Sequence, residues 1–179
     1  MEHKRLFVPI ISVLMVLIVP FIIYLYNFNS VAFDENFYKK EFLKYDVYEN
    51  LGNYDIENIN NNVLDYFLAH GKNGELIEND FFNEREKIHL LDVKNIIQET
   101  LLMYYLSIIL FILFFISLAF LMELNFKNIA KRLLIIVLSG SSLNFLVSVL
   151  LIFLSNFNFD FVFGIFHKTF FSSGSYIFN

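Results

Sequence analysis

The chain has 179 residues, 57% of them hydrophobic and 19% aromatic, with 24 Phe, no Trp, no Cys and a formal net charge of −5. So apolar a composition is rare in soluble domains, and the missing Cys excludes a disulfide framework, a thiolate nucleophile and a Cys-ligated metal. The negative charge and the lack of a Gly-rich phosphate loop argue against nucleic acid or nucleotide as a partner.

The first element is the apolar run 6–26 behind "MEHKR". About 20 residues at 1.5 Å each cross a ~30 Å hydrocarbon core, so it reads as a membrane span. Pro9 and Pro20 lie near the ends of this expected span, where a lost helix hydrogen bond matters least. "SVAF" at 30–33 offers small residues spaced like a signal-peptidase site. The run is longer than a usual signal h-region and lacks a small, polar c-region, so it is read as a retained anchor.

Residues 27–100 carry seven basic and fifteen acidic side chains. In "DENFYKKEFLKYDVYENLG", Asp34 reads as an N-cap and Gly52 as a C-cap, with Tyr38, Phe42 and Tyr45 at helical spacing. "YDIENINNNVLDYFLAHG" repeats the pattern, with Asp55 as cap, Ile56, Ile59, Val63, Phe67 and Leu68 as the apolar face, and Gly71 as the end. "GKNGEL" is a turn. "FFNEREKIHLLDVKN" then starts a helix that neither Gly nor Pro interrupts before residue 122. On it, Arg85, His89 and Asp92 are spaced four and three apart and share one stripe, a site-like arrangement. Glu84 and Glu86 suit the first turn of a helix, and His70 beside Gly71 suits a helix C-terminus.

Spans two and three are expected at 101–122 and 133–154. Lys4 and Arg5 before span one, and Lys127, Lys131 and Arg132 between spans two and three, mark the cytoplasmic sides. The expected order is an anchor at 1–26, an extracellular helical domain at 27–100, span two at 101–122, a cytoplasmic turn at 123–132, span three at 133–154 and an extracellular interfacial tail at 155–179. The tail holds "FVFGIFHKTFFSSGSYIFN", in which His167 is embedded among aromatics. By residue type alone, His167 reads equally as an interfacial belt residue and His89 as part of a solvated helix face.

The segments "FFNEREKIHLLDVK" and "FGIFHKTFF", together with "FYKKEFLKYDVY" and "LGNYDIENINNNVLDYFL", resemble the lipoprotein intramolecular transacylase family of low-GC Gram-positive bacteria. The resemblance covers nearly the whole chain. It implies an all-α integral membrane protein whose essential histidines fall on His89 and His167, with Glu84, Arg85, Glu86 and Asp92 in support. The family usually has a Trp where Tyr176 stands and a fourth membrane span beyond it, so the expectation here is a three-span form lacking that fourth span and weakly active or inactive. The implied reaction moves the sn-2 acyl group of a lipoprotein's diacylglyceryl moiety onto the α-amine of its N-terminal cysteine, leaving a lyso-form lipoprotein. The implied partners are the diacylglyceryl lipoprotein and membrane lipids.

The residue types suit that chemistry. An α-amine with pKa near 7.7–8.0 must lose a proton before it attacks, and a histidine near 6.5 can take it and return it to the glycerol oxygen. Nucleophile and ester belong to one molecule, so effective molarity can supply roughly 7–11 kcal/mol of the barrier at best. No protein nucleophile and no cofactor is needed. His89, oriented by Asp92, is expected as base and acid, with His167 binding the oxyanion or sharing the proton; the reverse assignment fits almost as well. Arg85 is expected to assist the oxyanion or hold Glu84 or Asp92. Phe163, Phe166, Phe170 and Phe171 are expected to admit acyl chains. Two other readings are a metal-dependent membrane hydrolase with His89, Asp92 and His167 as ligands, and a non-catalytic membrane adaptor. Ser172 and Ser173 sit in no GxSxG elbow, which speaks against a Ser–His acyl-enzyme.

Overall fold

A computed structural model describes residues 2–68 and 81–171. Every regular element among them is helical: α1 (Glu2–Ala32), α2 (Glu35–Lys44), α3 (Val47–Asn50), α4 (Ile56–Leu68), α5 (Glu84–Leu121), α6 (Phe126–Phe157) and α7 (Phe159–Phe170). Three helices, α1, α5 and α6, are long and apolar enough to cross a membrane. Their large side chains stay exposed along much of their length, among them Leu102, Ile109, Phe145 and Phe153, as lipid-facing surfaces require. This is an all-α membrane protein. The expected cap at Gly71, the turn "GKNGEL", His70, Ser172, Ser173 and Tyr176 lie outside the described residues.

The chain falls into two compact units, 1–27 with 101–159 and 28–100 with 160–179. In the first unit, Met15, Val19, Leu118 and Ile136 form the buried centre. Gly140 of α6 sits against α1 so closely that a Cβ there would stand 2.5 Å from the Val19 Cβ and 3.1 Å from the Val16 carbonyl oxygen. Small residues permit this approach where lipid gives no hydrophobic drive for helices to associate. Helix α1 continues to Ala32, past the expected end at residue 26, so Pro20 is interior and not terminal. Without an N–H, Pro20 cannot serve the Val16 carbonyl, and Gly140 approaches that same carbonyl. Nearby, the Tyr24 hydroxyl is 2.7 Å from the Ser148 hydroxyl. The link between α5 and α6 is 122–125, where Glu123 and Leu124 take left-handed φ values of 56° and 53°. Asn125 caps α6 by accepting from the Asn128 N–H at 3.1 Å, so Lys127, Lys131 and Arg132 ride on the first turns of α6.

In the second unit, Asp34 caps α2 as expected, accepting from the Asn36 N–H. The helix expected to reach Gly52 breaks at Tyr45–Asp46, where Asp46 is left-handed (φ 55°), a conformation Asp tolerates. Asp55 caps α4 through the Asn58 N–H at 3.1 Å. Helix α4 buries Ile56, Leu64, Tyr66 and Phe67, whereas Leu68, expected on the apolar face, is exposed. Helix α5 holds the end of α4: Gln98 Nε2 donates to the Phe67 carbonyl, and the buried Lys94 sets its ammonium 4.1 Å from the centre of the Tyr66 ring. Phe42, Val47, Ile56, Val63 and Phe82 line an apolar cavity of about 250 Å³.

Candidate functional site

The stripe of Arg85, His89 and Asp92 depends on where α5 begins. Asn83 accepts from the Glu86 N–H at 3.0 Å while the Glu86 carboxylate accepts from the Asn83 N–H at 2.8 Å, a reciprocal capping box that fixes the first turn. Glu84 pairs with Lys87 at 2.9 Å. The two glutamates therefore act on the start of the helix that carries Arg85 and His89. Arg85 is exposed; His89 and Asp92 are half-buried. The helix runs on without a break from His89 into the apolar stretch beginning at Leu101.

The other half comes from α7, a helix not assigned from the sequence. His167 Nδ1 lies 2.9 Å from the Phe163 carbonyl, one turn back. A carbonyl only accepts, so Nδ1 carries the proton and, in the neutral ring, Nε2 holds the basic lone pair. The Phe163 ring lies against the imidazole, centroids 3.8 Å apart.

Phe171, just past α7, brings the halves together. Its ring stacks on His89 at 5.0 Å with 30° between planes, and on His167 at 4.9 Å with 17°. The histidines also act on each other electrically. Burial lowers the His89 imidazole below its ordinary pKa, Asp92 pulls the other way, and His167 adds to the lowering. Position 89 lies outside the apolar stretch, where water still reaches it in part. The result is one neutral-leaning imidazole, one imidazole with a fixed tautomer, and a phenyl ring shared between them. Such a pair can move one proton and donate one hydrogen bond to a developing negative charge.

A family model described as lipoprotein intramolecular transacylase Lit matches residues 13–179. The chain belongs to this family. No curated protein and no solved structure gives a match. Members of the lipoprotein intramolecular transacylase family are transferases that act on lipoproteins, and this chain has the three apolar helices of a membrane protein. Within it, His89 and His167 meet on Phe171, and Asp92 acts on His89. Phe166 packs beside His167 and Phe171, with Phe170 next to it. Among the described residues, no three His, Asp or Glu side chains converge to hold a metal ion.

One contributor is not singled out by the sequence analysis: Asn83, legible as an N-x-x-E capping box whose signal is faint in an Asn-rich chain. Phe163 and Phe171, expected as acyl-chain contacts, also touch the histidines: the Phe163 carbonyl accepts from His167 Nδ1, and the Phe171 ring stacks on both imidazoles.

Proposed function

We propose that this chain transfers the sn-2 acyl group of a diacylglyceryl lipoprotein to the α-amine of the lipoprotein's N-terminal cysteine, at the extracellular face of the cell membrane. The observation that carries the proposal is the meeting of His89 and His167 on Phe171 in a member of this family. The α-ammonium first gives up one proton to solvent. His167 Nε2 then accepts a second as the nitrogen attacks the sn-2 carbonyl carbon. His89, kept neutral by burial, donates its ring N–H to the oxyanion, where a preorganised donor acts most strongly. As the tetrahedral intermediate collapses, the carbonyl carbon–glycerol oxygen bond breaks and His167 returns its proton to that oxygen. An amide replaces an ester, and no water is consumed. Asp92 tunes His89 through its charge, while Arg85, Glu84 and Glu86 support it from the first turn of α5. Phe163, Phe166 and Phe170 face the acyl chains.

Mass spectrometry of a lipoprotein N-terminus from cells making this protein tests the reading. The expected product keeps the total mass but carries an N-acyl group and a monoacylglyceryl thioether. A product lighter by one acyl chain would mean hydrolysis, and an unchanged lipoprotein would leave the adaptor reading.

A further inference from the structure

We infer that α7 lies in the plane of the membrane surface with its broad apolar face embedded in lipid, and that this embedding sets the depth at which His167 works. The side of the membrane rests on the topology proposed above; the in-plane placement does not.

Helix α7 sorts its residues by face. Asp160, Gly164, His167 and Lys168 recur at i, i+4, i+7 and i+8 and make one polar strip. Apart from Thr169, whose hydroxyl donates back to the Ile165 carbonyl at 2.8 Å, the rest of the circumference is apolar. Phe159, Phe166 and Phe170 lie along one side, and Phe161 and Ile165 extend the face past Val162. These rings are not packed away: Phe161 is 63% and Ile165 51% exposed. Water is a poor solvent for so wide an aromatic face, which asks for a cover.

Chain continuity selects lipid as that cover. Only Asn158 separates α7 from α6, a span-length apolar helix. The chain therefore enters α7 as it leaves the hydrocarbon. Twelve residues at 1.5 Å rise give about 18 Å, too short to cross a ~30 Å core. A short helix with a wide aromatic face and a narrow polar strip, starting at the membrane boundary, is stable lying in the interface.

His167 then stands where the polar strip borders the apolar face, level with glycerol esters and not with bulk water. A substrate ester is presented to it only while its lipid remains in the bilayer. The surface thus favours a membrane-anchored lipid ester over a dispersed, water-soluble one.

The absence of Trp makes single substitutions unique fluorescent reporters. The full chain, reconstituted in phosphatidylcholine vesicles brominated either near the headgroup or near the chain end, is compared as Phe161→Trp, Ile165→Trp and Asp160→Trp. The first two should lose more fluorescence to the shallow bromines than to the deep ones. Asp160→Trp should lose less than either and be quenched more by aqueous acrylamide. Emission from Phe161→Trp and Ile165→Trp that neither lipid quenches would overturn the inference, as would stronger quenching by the deep bromines, or an Asp160→Trp signal indistinguishable from that of Ile165→Trp. Fluorescence reads α7 whether or not acyl transfer occurs, so this inference and the proposed function fail separately.

Discussion

Replacing Gly140 by Ala would place a methyl carbon 2.5 Å from the Val19 Cβ, 2.7 Å from its Cγ1 and 3.1 Å from the Val16 carbonyl oxygen. None of these atoms is the loose end of a flexible side chain. Val19 is buried among Met15, Leu118 and Ile136, so α1 and α6 must move apart by most of an ångström. Overpacking of this kind costs about 1–3 kcal/mol, and separating two backbones puts it at the upper end. The better helix propensity of Ala offsets about 1 kcal/mol, leaving a net loss of about 2 kcal/mol. Unfolding by SDS in mild detergent, followed by far-ultraviolet circular dichroism, measures it. Val19→Gly removes both clashing side-chain atoms, so on that background Gly140→Ala should cost almost nothing, a coupling that a double-mutant cycle isolates. The reasoning is refuted if Gly140→Ala is as stable as the parent, or if its cost is the same on both backgrounds.

If the histidines form one centre, His89→Ala and His167→Ala should each abolish nearly all acyl transfer, and the double substitution should be no worse; multiplicative losses in a lipoprotein mass assay would separate them. Asn83→Ala should cost about 1 kcal/mol through the lost cap, while Glu86→Gln, which preserves the box, should stay near the parent; equal unfolding midpoints for all three would discount the capping bonds. Burial holds His89 below its ordinary pKa, so the unfolded chain binds a proton that the folded chain resists. Stability is then whole above about pH 6.5 and falls as pH drops through the folded value, and His89→Asn should flatten that acid-side loss; an unchanged slope would count against the assignment. With no native Cys, Asn62→Cys should react with an impermeant thiol reagent on intact cells and Asn128→Cys should not; the opposite pattern would invert the topology.

Helices and caps were legible because they are local. Asp34 and Asp55 announce the starts of α2 and α4, and the unbroken run after Glu84 announces α5. The pairing of His89 with His167 was legible only through resemblance to a family, since 78 residues separate two histidines that periodicity cannot connect. What stayed hidden depends on tertiary company. Asp46, not Gly52, turns the chain left-handed. Gly140 reads as an ordinary helix glycine until Val16 and Val19 lie against it. Helix α7 was obscured by its own aromatics: Phe161 and Ile165 fill the side opposite Phe163, so the stripe of Phe159, Phe163, Phe166 and Phe170 does not stand out against a polar background.

The hold of α5 on α4 has a consequence for how the second unit opens. Gln98 and Lys94 tie the last turn of α4 to a helix continuous with a membrane span, and α4 buries four side chains. Helices α2 and α3 bury none. They lie along a cavity in which Phe42 and Val47 lack partner atoms on one side, and their Lys39–Glu57 link to α4 is a surface ion pair of little strength. In amide hydrogen exchange the unit should therefore resolve into two tiers. The amides of α2 and α3 exchange through frequent local opening, while those of α4 and the first turns of α5 exchange late and together. Opening of α2 and α3 can thus occur without loosening the turn that carries His89.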